Sequence, residues 1–170
     1  MPMSMLVDLV NGWGTVPRAK AEDRDRPPLA AFAEQHSVPG KGLTHAALER
    51  VADRLYPVFA AESAAVRARL VTDLLAGCRI QPALGAAGDR IRPRWLVPDK
   101  RDALLAAAAV ALHGQLVEHE PERLGTCASV RCGDAFADAS PGAHRRFCSV
   151  TCQNRERVAA FRRRRQAGAA

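Results

Sequence analysis

Aromatic residues are scarce in this chain, 5% of 170 positions, while alanine is heavily used. That balance predicts a mainly helical body, because alanine favours helices and strands draw on aromatic and β-branched residues. No run of eighteen apolar residues occurs, which excludes a membrane-spanning helix and a membrane partner. The opening M-P-M-S-M-L-V-D-L-V-N has no basic leader and an acid inside its only apolar stretch, so no signal peptide is expected. A glycine-rich phosphate loop, an H-E-x-x-H and a G-x-S-x-G are all missing, and an enzyme is therefore not expected. There is no repeat of fixed period. Cysteine is limited to five residues, an odd number at short spacings. This argues against a disulfide framework and for a reducing cytoplasm.

What is present points to a folded chain, with 48% apolar and 25% charged residues in a length that suits one domain plus a small appended one. Four of the five cysteines form two pairs, Cys127 with Cys132 and Cys148 with Cys152, separated by fifteen residues. Each pair supplies two thiolates from one local turn, which is what a tetrahedral zinc site needs. Gly133 is expected to let amides turn toward the sulfurs. A helix starting at Cys148 would put Cys148 and Cys152 on one face of its first turn, where its positive end favours anionic sulfur. A turn, a hairpin and a helix in that order predict a treble-clef-like four-cysteine finger with one structural Zn2+.

The net charge of +7 is uneven. Residues 126–170 hold nine arginines against Asp134, Asp138 and Glu156, which places +6 there and +1 on the rest. A basic module on a nearly neutral body is the asymmetry of a chain whose one end meets a polyanion.

In chain order, residues 3–13 read as a short helix, and Thr15 to Pro28 as an exposed, charged loop. A helix over Leu29 to His36 is stopped by Ser37-Val38-Pro39-Gly40. Thr44 caps a long helix with Leu48, Val51, Ala52, Leu55 and Val58 at three-and-four spacing, which Pro57 should bend or divide. Another helix runs from Glu62 to Ala76 and ends at Gly77, in a left-handed position. Cys78 to Val97 reads as two strands around a glycine-containing loop, with Pro82 and Pro93 confining them to edges. Asp99 caps a helix from Lys100 to Glu118, whose Ala106–Ala109 run permits close helix contact. A last helix opens near Ser149, with Val150, Val158 and Phe161 apolar, and the tail from Ala167 to Ala170 frays.

The pattern C-x4-C-G, F-x-D-x-S, R-R-F-C-S-x-x-C-x-N-R and a basic helix resembles the CGNR-type zinc finger over Cys127 to Arg165. Leu6-Val7-Asp8-Leu9-Val10-Asn11 is similar to the DLVN opening of the ABATE domain that precedes such fingers. The resemblance implies an ABATE-like helical domain over 1–122 with a small hairpin, and a CGNR-type finger over 123–170. It further implies a bacterial, stress-induced transcription regulator. One departure stands out: the naming glycine is Gln153, while Asn154 and Arg155 are retained.

On this reading the partner is double-stranded DNA in the nucleoid. Arg155 and Arg157, with Asn154, face base edges from the first helical turns. Arg162, Arg163, Arg164 and Arg165 grip phosphates without sequence preference, as do Arg145 and Arg146. The body senses a small-molecule effector or self-associates as a homodimer. The alternative is an adaptor whose finger docks on an acidic protein or RNA; in a third reading the zinc is only structural and the body carries the function. Cys78 reads as a buried apolar residue, His113 and His119 as solvated or core histidines, and His36 and His45 as without a partner. His144 is not needed as a ligand beside four thiolates. Asp138 and Ser140 form a local turn, and Trp13 and Trp95 serve the core.

Overall fold

The computed structural model describes residues 1–21, 25–38 and 42–167. The expected stop at Pro39-Gly40 and the tail beyond Ala167 lie outside them. Seven helices and two two-stranded antiparallel sheets are formed among the described residues. None of the helices is long and apolar enough to cross a membrane.

The body is organised on α1 (Met3–Trp13), whose Leu6, Leu9, Val10 and Trp13 are all fully buried at helical spacing. Against that stripe pack α4 (His45–Ala60), through Leu48, Ala52, Leu55, Val58 and Phe59, and α6 (Ala103–Glu118). Three of the four alanines in 106–109 are buried on α6, and with no side chain beyond Cβ they let α5 (Ala64–Gly77) come close. Short helix α3 (Leu29–Gln35) adds Phe32, edge-on to Trp13 with ring centroids 4.9 Å apart. His45 is not unpartnered: its Nδ1 accepts the Trp13 indole N–H at 2.9 Å. His36 Nε2 lies 3.1 Å from the Asp8 carboxylate but makes no hydrogen bond.

Local capping chemistry sets the starts of α4 and α5. Thr44 Oγ1 accepts from Ala47 N, and Ser63 Oγ from Val66 N. Asp99 accepts from Arg101 N and opens a 3-10 turn over Lys100–Asp102 that leads into α6.

Three expectations are corrected. Thr15 to Lys20 is not loop but helix α2 (Thr15–Lys20). Its first turn tolerates Pro17, since amides there have no helical acceptor, and Asp53 accepts both Thr15 N–H and Thr15 Oγ1–H at 2.7 Å. Pro57 does not divide α4; burial of Val58 and Phe59 holds the last turn in place. Gly77 is helical, and the left-handed residue is Arg79 (φ 49°), where the chain closes with Ile80 N donating to Leu75 O.

The predicted hairpin is present as β1 (Gln81–Ala87) and β2 (Arg90–Leu96). Its loop is only Gly88-Asp89. Gly88 at φ 60° takes the first central position of a two-residue turn that suits strand twist. The ribbon stands away from the core, with Trp95 43% exposed and its ring edge-on to that of His113, itself exposed. Trp95 is thus not a core residue.

Candidate metal centre

The second hairpin, β3 (Leu124–Thr126) with β4 (Ala135–Ala137), carries the first cysteine pair in its loop. Cys127 N extends the ladder by donating to Asp134 O at 2.8 Å, and Cys132 N donates to Ser129 O at 3.0 Å. Gly125 is required for contact, because a Cβ there would come 2.8 Å from the Phe136 ring. Gly133 has no positive φ; it permits approach to α2, where an added Cβ would meet Val16 O at 3.1 Å.

The second pair straddles the start of α7 (Val150–Ala167). Cys148 precedes that helix by two residues, so the expectation that both thiolates share its first turn is corrected. Ser149 is the cap, its Oγ accepting from Cys152 N at 3.2 Å. Ala128 N donates to Arg146 O, and Cys148 N to Cys127 Sγ, which draws the two segments together.

The four sulfurs lie within 4.8 Å of one another. Cys148 Sγ is 3.6 Å from both Cys132 Sγ and Cys152 Sγ. Four thiolates at 2.3 Å from a tetrahedral ion have edges of about 3.8 Å, so the donor set fits one zinc. As thiols, Cys132 and Cys148 resist ionisation. Burial, with the Asp134 charge adding to it, pushes Cys132 up to about 12. Burial likewise pushes Cys148 far up, together with bonds to Cys152 and Cys132. Cys152 moves the other way: burial opposes its ionisation, but donors from Ser149 and Cys148 outweigh it. A bound dication supplies the charge that lets all four act as thiolates.

Residues 123–165 match the CGNR zinc finger family. No curated protein matches the chain. Cys127, Cys132, Cys148 and Cys152 all lie within that matched segment, and together the cluster and the match support one structural zinc.

The four-cysteine finger is tied to the body at several points that spacing alone did not show. Asn11, at the end of the DLVN-like opening, donates Nδ2 to Ala135 O at 3.0 Å and accepts Ala135 N at 2.7 Å. One amide side chain thus serves as a strand edge for β4. Leu124 and Ala135 belong to the main core, so a boundary at 122/123 falls between parts that pack on each other. Arg67 is 5% exposed and donates to four carbonyls, those of Val58, Ala61, Pro121 and Leu124. Replacing Asn11 with Ala leaves both main-chain groups of Ala135 unpaired. The expected cost is about 2 kcal/mol, read as a lower unfolding midpoint in denaturant.

Asp138 and Ser140 make the local turn expected of them, and the turn does more. Asp138 accepts from Ser140 N and Arg145 N at 2.9 Å, and bonds from Ser140 and Arg145 hold its carboxyl down at about 2. Arg145 donates to the carbonyls of Phe147, Ala137 and Cys148 and lies over the Phe136 ring. Its guanidinium is therefore committed within the finger. Arg146 is exposed, as are Asn154, Arg155, Arg157 and Arg162 to Arg165 on α7. Glu156, the one acid on α7, accepts from Ser129 Oγ at 2.8 Å and faces the knuckle. Cys78 is 2% exposed, packed as a small apolar residue.

Proposed function

We propose that this chain is a bacterial DNA-binding transcriptional regulator in which a treble-clef-like finger mounts α7 as the reading helix. The observation that carries the reading is α7 itself. It leaves the metal site with Cys152 as its one buried residue, runs for about 27 Å at 1.5 Å per residue, and bears six exposed arginines. A helix held at one end by a rigid knuckle and otherwise bare can enter a major groove. Arg155 and Arg157 emerge closest to that mount and are assigned base edges, with Asn154. Arg162 to Arg165 point around the axis and are assigned phosphates, with Arg146. Arg145 is assigned a positioning role, since three of its five N–H donors are already directed at carbonyls of the finger.

The body is read as an ABATE-like sensor working beside the nucleoid. A groove of about 1540 Å³ lined by Met5, Leu43, Val51 and Leu104, with both Arg50 and Asp53 on its wall, is assigned to a small-molecule effector. Four thiolates around one zinc leave no open coordination position, which favours a regulator over an enzyme. The second reading, an adaptor for an acidic protein, draws on Phe161, 60% exposed on α7.

Mobility shift of the zinc-loaded chain on genomic fragments between 50 and 200 mM salt tests the two. Regulation expects a preferred sequence that survives at the higher salt. Changing Arg162 to Arg165 to Gln should flatten the slope of log affinity against log salt by about 3.6, at 0.9 per phosphate. Arg155→Ala should relax discrimination by about 1–3 kcal/mol at one base pair. Binding without sequence preference that vanishes by 200 mM overturns the regulator in favour of the adaptor.

A further inference from the structure

The β1–β2 ribbon has two unlike faces. Residues directly opposite in its register share a face, so Ala83, Gly85 and Ala87 lie with Arg94, Arg92 and Arg90. On the other side Pro82, Leu84 and Ala86 face Trp95, Pro93 and Ile91. Every position of β2 is exposed, and the ring contact of Trp95 with His113 on α6 is made from the face opposite the arginines. Among the described residues, none accepts a hydrogen bond from Arg90, Arg92 or Arg94 and no acid pairs with them. The stem of Arg94 lies flat across the ribbon, since a Cβ on Gly85 would come 2.3 Å from its Cδ. Small residues opposite three arginines thus make one flat cationic surface, with the arginines at alternate positions whose Cα atoms are about 6.8 Å apart.

The geometry points to this arginine face as a second nucleic-acid contact, a backbone clamp of Arg90, Arg92 and Arg94 on phosphates away from the helix of the finger. It rests on the DNA-binding reading above and adds a site to it. Charge complementarity selects the occupant: three uncompensated guanidiniums in a row match a regular line of phosphates, and Arg offers each a forked donor pair. A lipid surface fits less well. Laying Leu84 and Ile91 into a bilayer would turn all three guanidiniums away from the headgroups, because the two sets occupy opposite faces.

The test compares the zinc-loaded full-length chain with Arg90, Arg92 and Arg94 all changed to Gln, and with all three changed to Lys. Each is titrated on one duplex at a series of salt concentrations, and on vesicles containing an anionic phospholipid. Since all three side chains are exposed, both variants should melt with the wild type. The Gln variant should lower the salt slope by about 2.7, so that the wild type loses about 40-fold more affinity than the variant between 50 and 200 mM salt. The Lys variant should keep most of the slope. If the wild type binds duplex with a steep slope that the Gln variant leaves unchanged, the clamp is overturned and the reading of α7 stands. If the wild type does not bind duplex at all, both fall. Vesicle binding that the Gln variant loses, with duplex binding unaffected, reassigns the ribbon to a membrane surface.

Discussion

Cys132→Ser is expected to yield a protein without its single equivalent of zinc and without an ordered finger. Structural zinc supplies roughly 10–16 kcal/mol of apparent binding free energy, and in a module this small that is folding free energy. Nothing else replaces it. The cluster around the sulfurs adds only Phe147 to the four cysteines, and Cys152 is the one buried residue of α7. An arginine-rich helix of 18 residues with no packed face is marginal in water. Elemental analysis should therefore fall from one zinc to near zero, and circular dichroism should lose the contribution of α7. The body should still melt cooperatively, at lower temperature, because Leu124 and Ala135 are held in its core. Chelation of the wild type should give the same spectrum. A Cys132→Ser protein that retains one zinc and the wild-type melt would remove the basis of the site.

Arg67→Ala should be the most destabilising single change in the body. The side chain is 5% exposed and its four bonds run 2.7–3.0 Å to main-chain oxygens of Val58, Ala61, Pro121 and Leu124. Burial lowers its pKa from the ordinary value, with the Glu122 charge opposing that shift, yet a guanidinium so far above neutrality stays charged. Truncation opens a polar hole and leaves carbonyls at the end of α4 and the entry to β3 without donors. Each buried unsatisfied group costs about 1–3 kcal/mol, and a broken buried charged network costs about 3–5 kcal/mol in total. An unfolding midpoint in urea should show that loss. Arg67→Lys should recover only part of it, because an ammonium cannot reach four acceptors spread in a plane. Equal stability of wild type and Arg67→Ala would mean that these bonds contribute nothing net.

The contrast between these two residues explains what the sequence made legible. Cys127, Cys132, Cys148 and Cys152 were readable because ligand pairs are local and the loop between them is short. Thr44 and Asp99 were readable for the same reason, each capping amides two or three residues away. The β1–β2 ribbon followed from its turn residues. Arg67 and Asn11 were invisible because their partners are main-chain atoms 54 and 124 positions distant, which carry no side-chain signature. Helix α2 was missed likewise. Its charged, proline-containing sequence reads as loop, and the group that satisfies its first amide is Asp53, 38 residues further on. Arg145 was legible as a surface cation beside the thiolates, but its bonds to three carbonyls were not, because those acceptors are main-chain atoms.

The seating of β4 on α1 has a consequence for anyone dividing this chain into pieces. Scission between Arg123 and Leu124 would strip the hydrophobic seam from one fragment and the supporting amide of Asn11 from the other. Each half would then present raw apolar surface where the intact molecule has none. The four-cysteine module and the helical body are accordingly joined through β4 and α1, and a fragment of either would lack contacts that the whole chain makes.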